Sequence, residues 1–246
     1  MSDKTPEQHR NDIYAKDLDD KSSTPAIPAA TVVLLRQRET SPEVLMLRKN
    51  SKIAFGGMWV FPGGRIDEED YPADRDLEGA ARVAAAREAA EEAAVTATPE
   101  EFVWFAHWTP PPSSPKRFAT YFFATVIEGS ENVQIDGGEV LDHMWIAPAE
   151  ALAKHGAGDI DLAPPTWVTL YHLTRRATAR AVIDDFSARA PRHYATRIGQ
   201  RADGVRVAIW EGDGAYEHGD ADAEGTRHRL VMAKGGFEFE HPPEDY

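Results

Sequence analysis

Residues 61–95, FPGGRIDEEDYPADRDLEGAARVAAAREAAEEAAV, pass from a Pro-Gly-Gly stop into a helix-forming segment, and β-branched apolar runs stand on both sides. Pro and Gly interrupt strands, whereas Ala, Glu and Arg favour helix, here from about Leu77 to Ala94 with Asp76 as N-cap. Upstream, AATVVLLRQ and SPEVLMLRKN flank the turn-rich RETSPE and read as a hairpin, and MWVFPGG reads as a short strand. Downstream, FVWFAHWTP and RFATYFFATVIEG read as strands around the loop PPPSSPK, and VLDHMWIAP as another before the short helix AEALAKHG. Strands mixed with helices in this order predict an α/β (α+β) fold, a sandwich of helices on a sheet.

After Pro164 and Pro165 the spacing predicts one long helix, TWVTLYHLTRRATARAVIDDFSAR, with Thr166 as N-cap and Trp167, Leu170, Tyr171 and Thr174 on one stripe. VRVAIWEG and RHRLVMAKGGFEFEH predict a two- or three-stranded meander. Residues 1–28 are charged, bear Ser and Pro, and hold few large apolar side chains, which predicts a disordered tail. The expected organisation is therefore a tail (1–28), an α/β domain (29–190) and a β-rich extension (191–246).

The formal charge of −14 argues against a nucleic-acid binder, because phosphate backbones are held by clustered Lys and Arg. The absence of cysteine excludes disulfides and thiolate metal sites and suits a reducing compartment. No run approaches the ~20 apolar residues of a membrane span, and the N-terminal stretch lacks the apolar core of a secretory signal, so a cytoplasmic protein with no membrane partner is expected.

Within the predicted helix, Glu88, Glu91 and Glu92 stand at i, i+3 and i+4 and share a face. Like charges so placed destabilise an isolated helix, and a divalent cation would compensate. Hard oxygen donors suit Mg²⁺ or Mn²⁺. Arg87 is placed to orient a carboxylate through its planar fork. The Gly63-Gly64 turn lets the backbone come close to a ligand, since glycine accepts positive φ and has no side chain in the way, and a carbonyl there can add a ligand.

These residues resemble the signature of the Nudix hydrolases, G-x5-E-x7-R-E-U-x-E-E-x-G-U, where U is a bulky aliphatic. Gly64 matches the first glycine, and Arg87, Glu88, Glu91, Glu92 and Val95 match the second half. Gly64 and Arg87 lie 23 positions apart rather than the 14 of the pattern, so nine extra residues stand between them. Counting forward from Gly64 puts Asp70 in the place of the motif glutamate; counting back from Arg87 puts Gly79 there, with Glu78 one position off. Ala94 stands where the pattern has its last glycine, and Ala89 where it has an aliphatic. An insertion in the loop before the helix is tolerable, because each doubling of loop length costs only about 0.6 kcal/mol. The resemblance implies a Nudix-type α/β/α sandwich with a mixed sheet, plus a C-terminal helix and small β-extension. It also implies that Gly63, through its carbonyl, Glu88, Glu91 and Glu92 hold one to three Mg²⁺ ions.

LMLRKNSKIAFGGMWVFPGG resembles the element that coenzyme A diphosphatases carry upstream of this signature, and AHWTPPPSSPKRFATYFFAT resembles a W-x-T-P…R-F-D-T-x-F-F stretch of the same branch, whose members also carry a long insert. Ala119 replaces the aspartate of that stretch. Arg48, Lys49, Lys52, Lys116 and Arg117 are candidates to bind a diphosphate or the 3′-phosphate of CoA, with Gly64 close to it; Trp108, Phe118 or Tyr121 can stack on adenine or belong to the core. His107 and His143 alternate with apolar residues and read as structural.

The resemblance implies attack of water on the phosphoanhydride of a nucleoside diphosphate linked to another moiety, CoA or acyl-CoA first, ADP-ribose or NADH otherwise. In this reading Glu88 is ligand or general base, Arg87 orients the carboxylates, and Glu139, after a Gly-Gly turn, is a late ligand or the competing base. A degenerate Nudix domain that binds a nucleotide as a regulator is the rival. A homodimer is the expected assembly, since the extension and long helix offer apolar surface.

Overall fold

Eight of the eleven residues of the first strand, IPAATVVLLRQ, are apolar, and a strand of that kind is stable only when both faces of its sheet are covered. The computed structural model, which describes residues 8–14, 25–50, 55–114, 116–128, 132–135 and 137–242, covers both. Its strands are β1 (Ile27–Gln37), β2 (Pro42–Lys49), β3 (Trp59–Val60), β4 (Gly63–Arg65), β5 (Val103–Thr109), β6 (Phe118–Val126), β7 (Val140–Ile146), β8 (Arg192–Ala195), β9 (Arg197–Gln200), β10 (Arg206–Ile209), β11 (Arg229–Ala233) and β12 (Gly236–Glu240). The α-helices are α1 (Leu77–Ala93), α2 (Pro148–Ala157), α3 (Pro164–Leu173) and α4 (Ala179–Ser187).

The larger sheet has the order β3-β2-β1-β6-β5-β8, with β4 added to β1 and β7 to β2. It is mixed: β1 runs parallel to β6 and β5 to β8, and the other pairs are antiparallel. Alternation along β1 sends Val32 and Leu34 to one face and Val33 and Leu35 to the other. On the first face lies α1, whose buried stripe is made of alanines, Ala80, Ala81, Ala84, Ala85, Ala89 and Ala93. The second face is covered by α2, α3 and α4. The expected α/β/α sandwich with a mixed sheet is the observed one.

The extension forms a four-stranded antiparallel sheet, β12-β11-β10-β9, one strand more than expected because Arg197–Gln200 pairs with β10. Trp210, Leu230, Met232 and Phe239 join the apolar cluster beneath α2–α4, and β8 belongs to the larger sheet. Beneath the small sheet, buried Asp213 accepts hydrogen bonds from Arg229 (2.7 Å) and from the N–H groups of Ala215 and His228 (both 2.8 Å).

Two expectations are corrected. The long helix after Pro165 is two helices: α3 starts from an Ala163 N-cap with Pro164 at its first turn, not from Thr166, and the Thr178 hydroxyl accepts from Ala181 N–H to start α4 afresh. Within the expected tail, residues 8–14 pack instead against the body. His9 N–H donates to the Met232 carbonyl (2.9 Å), Asn11 Nδ2 to Asp161 (2.8 Å), and Tyr14 is buried in the main core. Here specific polar contacts offset the ordering entropy that composition alone suggested would win. Most of the remaining tail lies outside the described residues. Among the described residues no helix is long and apolar enough to cross a membrane.

α1 begins as expected, with the Asp76 carboxylate accepting from Glu78 N–H (3.2 Å) and Gly79 N–H (2.8 Å). It ends on Ala94 in the left-handed region at φ 53°, where a Cβ is penalised. Ala94 is exposed, so its methyl contributes no packing. Ala94→Gly is therefore expected to raise stability by about 0.5–1 kcal/mol, the relieved strain exceeding the entropy glycine adds to the unfolded chain. Urea unfolding checks it, and an unchanged or lowered midpoint contradicts it.

Candidate active site

The site forms where β4 passes under α1. Only Phe61 and Pro62 separate β3, paired to β2, from β4, paired to β1 through Gly63↔Thr31 and Gly64↔Ala30. The Pro62 carbonyl accepts from Val32 N–H (3.0 Å) and the Thr31 hydroxyl (2.6 Å), which locks the crossing. Gly63 and Gly64 are thus strand residues with ordinary negative-side φ, and the expected positive-φ turn is not what they serve. Their role is room. A Cβ on Gly64 would lie 2.2 Å from Glu88 Oε1, and one on Gly63 would lie 2.5 Å from the Ala30 carbonyl and 2.7 Å from Thr31 Cβ.

Arg87 is the hub of the carboxylates. Its Nε and Nη2 grip both oxygens of Asp70 (3.0 and 2.9 Å), and its Nη1 donates to Glu88 (2.9 Å) and Glu91 (3.0 Å). Its Nη2 also reaches the Arg65 carbonyl (3.1 Å), tying the helix to the end of β4. Asp70 is buried on a single 3₁₀ turn, Glu68–Asp70, and also accepts from Asp67 N–H (2.8 Å). Burial is the largest single influence and pushes its carboxyl up, but Arg87 and the Asp67 N–H together outweigh it and hold the pKa below its ordinary value. Glu78 instead pairs with Arg82 one turn along (2.7 Å). Of the two candidates for the displaced motif glutamate, Asp70 reaches Arg87 and Glu78 does not. The extra residues lie after Asp70, where Arg75 stacks on Tyr71 (4.2 Å) and pairs with Glu68, so the Gly64-to-Asp70 half keeps its spacing.

Glu92 is buried. It accepts from Gly63 N–H (3.2 Å) and forms an ion pair with Lys49, itself 9% exposed. A register irregularity between Arg48 and Lys49 at the β2–β7 pairing accompanies this placement. Lys49 faces α1, whereas Arg48 is exposed beside Trp59 (6.0 Å) and Asp142 (3.6 Å). Burial pushes the carboxyls of Glu88 and Glu92 above their ordinary pKa; Arg87 opposes this at Glu88, and Lys49 and the Gly63 N–H oppose it at Glu92. Lys49, one of five basic candidates in the sequence, is the one that enters this cluster.

The other residues singled out from the sequence fall as follows. Glu91 is exposed on α1. Glu139 directly precedes β7, whose Val140 is in register with Lys49, and its carbonyl accepts from Asn50 N–H (2.8 Å). Arg117 donates to the Pro110 carbonyl (3.1 Å) and so closes the loop before β6, and Lys116 lies over the Phe118 ring (5.1 Å). Lys52 lies outside the described residues. Trp108 is a core residue stacked on Tyr194, while Tyr121 lies on the α1 side against Trp104.

A divalent cation fits this donor set in chemistry. Glu88 and Glu92 both reach the Gly63–Gly64 edge, and Mg²⁺ commonly takes one or two carboxylates, leaving its other positions to water and phosphate oxygens. Among the described residues no three acidic or histidine side chains already converge as a metal-binding group, and Arg87 and Lys49 hold the carboxylates. Lys49 holds Glu92 Oε1, so a cation that took this oxygen would displace the ammonium.

The NUDIX domain model matches residues 25–164. A Caenorhabditis elegans protein that bears the name nudix hydrolase 7 is 25% identical over 183 residues, 60% of this chain; the match spans 59% of that relative's length. The crystal structure of a NUDIX hydrolase from Alicyclobacillus acidocaldarius is similar in fold, with a TM-score of 0.59 and 23% identity, covering 66% of this chain and 97% of that one.

The two glycines are expected to respond differently to the same change. Gly63→Ala drives a methyl into backbone and a β-branched side chain and is expected to cost about 1–3 kcal/mol. Gly64→Ala meets only the movable end of Glu88 and is expected to cost less than about 1 kcal/mol. Urea denaturation of both variants checks this, and equal losses contradict it.

Proposed function

The chain belongs to the Nudix family, and we propose that it hydrolyses the phosphoanhydride of a nucleoside diphosphate linked to another moiety, with CoA or acyl-CoA as substrate and Mg²⁺ or Mn²⁺ as cofactor. The observation that carries the proposal is the meeting of Glu88 and Glu92 at the Gly63–Gly64 edge under a guanidinium gripped by Asp70. Glu88, Glu92 and the Gly63 carbonyl would hold the cation, with exposed Glu91 joining as the site fills. When bound, the cation neutralises the diphosphate and lowers the pKa of a coordinated water.

Arg87 acts as a positioning residue: with Asp70 fixing its fork, it sets the angle at which Glu88 and Glu91 present their oxygens. Asp70 thereby does the work of the displaced motif glutamate. Glu88 is either a ligand of the cation or the base that takes the proton from the attacking water, and Glu139 is the competing base. The water oxygen bonds to phosphorus as the anhydride P–O bond breaks, and CoA would yield 4′-phosphopantetheine and adenosine 3′,5′-bisphosphate. The CoA assignment rests on the two flanking stretches, residues 45–64 and 106–125, and Arg117 and Phe118 in the second supply a cation and a ring for the substrate. A cytoplasmic location and a homodimer are part of the same reading.

One observation favours a second reading, a nucleotide-binding regulator without turnover: Lys49 already neutralises Glu92. A chromatographic panel of CoA, acyl-CoA, NADH and ADP-ribose with Mg²⁺, Mn²⁺ or EDTA separates the two. Metal-dependent appearance of adenosine 3′,5′-bisphosphate from CoA is expected. Hydrolysis of ADP-ribose with CoA intact contradicts the CoA assignment, and metal-dependent stabilisation without any hydrolysis establishes the regulator. Glu88→Gln is the variant of choice and is expected to abolish turnover. Glu92→Gln would strand buried Lys49, and breaking such a pair costs about 3–5 kcal/mol, so its loss of activity would be confounded with loss of fold.

A further inference from the structure

On the sheet face opposite α1, between the β5–β8 edge and helices α3 and α4, lies a cavity of about 40 Å³ that opens to solvent. Its lining residues include four arginines, Arg175, Arg176, Arg189 and Arg192, and one acidic residue, Asp185. The surplus of three positive charges stands out in a chain whose formal charge is −14. Asp185 is shared between Arg176 (2.6 Å) and Arg189 (2.9 Å), while Arg175 reaches the Tyr171 hydroxyl at 3.4 Å. His172, also in the wall, is held well below its ordinary pKa by burial and then by Arg192, His241, His228 and Arg175, and its ring lies 3.3 Å from the Tyr194 hydroxyl.

Arginines near helix C-termini also offset the helix dipole, which would account for Arg175, Arg176 and Arg189 without any ligand. It does not account for two neutral donors in the same wall. Thr169 on α3 is 1% exposed and Trp108 on β5 is 3% exposed, and both line the cavity. The Thr169 hydroxyl and the Trp108 indole N–H have no hydrogen-bond partner among the described residues. A buried polar group left unmatched is costly, and unmatched groups in a native wall call for a partner from outside it. Guanidinium forks match the paired oxygens of a phosphoryl group, and a cavity of this size has space for roughly three waters, which is the scale of one such group.

We propose that this cavity is a second, anion-binding site that takes a phosphoryl group, either as free inorganic phosphate or as the end of a small metabolite. Arg175 and Arg192 supply charge, Thr169 and Trp108 supply neutral donors, and the Arg176–Asp185–Arg189 cluster fixes the rim. The sheet separates it from the carboxylate cluster under α1, so it needs no metal.

Calorimetric titration of the full chain in EDTA, at constant ionic strength, with inorganic phosphate and separately with AMP, tests the proposal. Saturable binding of at least one probe is expected. AMP binding more tightly than phosphate assigns the site to a metabolite's terminal phosphoryl group, and equal affinities assign it to the free anion. Arg175→Gln is expected to weaken binding at least about tenfold and Thr169→Val about three- to tenfold, the range of a lost charged and a lost neutral hydrogen bond. Thermal melts confirm that each variant is folded, with the ligand-induced rise in Tm shrinking in step with affinity. Absence of binding of both probes to the wild type, or binding that neither substitution weakens, overturns the proposal.

Discussion

The close approach of α1 to β4 is the constraint on which the rest of the site depends. A helix faced with alanines can lie near a sheet, and Gly64 in the strand beneath removes the last side chain between them, while Gly63 lets that strand lie close against β1. The carboxylates of Glu88 and Glu92 then reach main-chain atoms instead of solvent, and burial raises both. The alanine stripe buries little apolar area per residue, so the sheet and the larger cluster beneath α2–α4 must supply most of the hydrophobic stabilisation that holds this arrangement.

Buried like charges require fixed counter-charges, and the chain provides two of different character. Arg87 is planar and forked, and Asp70 holds it from the far side, so it serves as a scaffold for Glu88 and Glu91. Lys49 is a single compact charge on a flexible stem, suited to leave Glu92 when another cation arrives. The insertion between Asp70 and α1 disturbs neither, because it enters after one half of the site is complete and before the other begins.

Much of this was legible in the sequence because it depends on local pattern. Most strands, α1 with its Asp76 cap, and the shared face of Glu88, Glu91 and Glu92 follow from period and spacing alone, whereas the short β8 and β9 do not. The choice of Asp70 over Glu78 was not legible, since it depends on a 3₁₀ turn that brings residue 70 back over the helix. Lys49 was hidden among other cations, because alternation along β2 and a register shift decide which of Arg48 and Lys49 faces α1. The break between α3 and α4 turns on one threonine hydroxyl that outweighs good helix propensity around it. The packing of residues 8–14 rests on bonds to residues about 150 to 220 positions away, beyond the reach of any local window.

The central claim is that the Glu88–Glu92 edge of α1, with the Gly63 carbonyl, holds a divalent cation that displaces Lys49. Anomalous diffraction from crystals grown with Mn²⁺ tests it most directly. The account predicts a manganese peak within ligand distance of the Glu88 and Glu92 carboxylates and of the Gly63 carbonyl, with the Lys49 ammonium moved off Glu92. A peak elsewhere, or Lys49 still paired with Glu92 at saturating Mn²⁺, would contradict it.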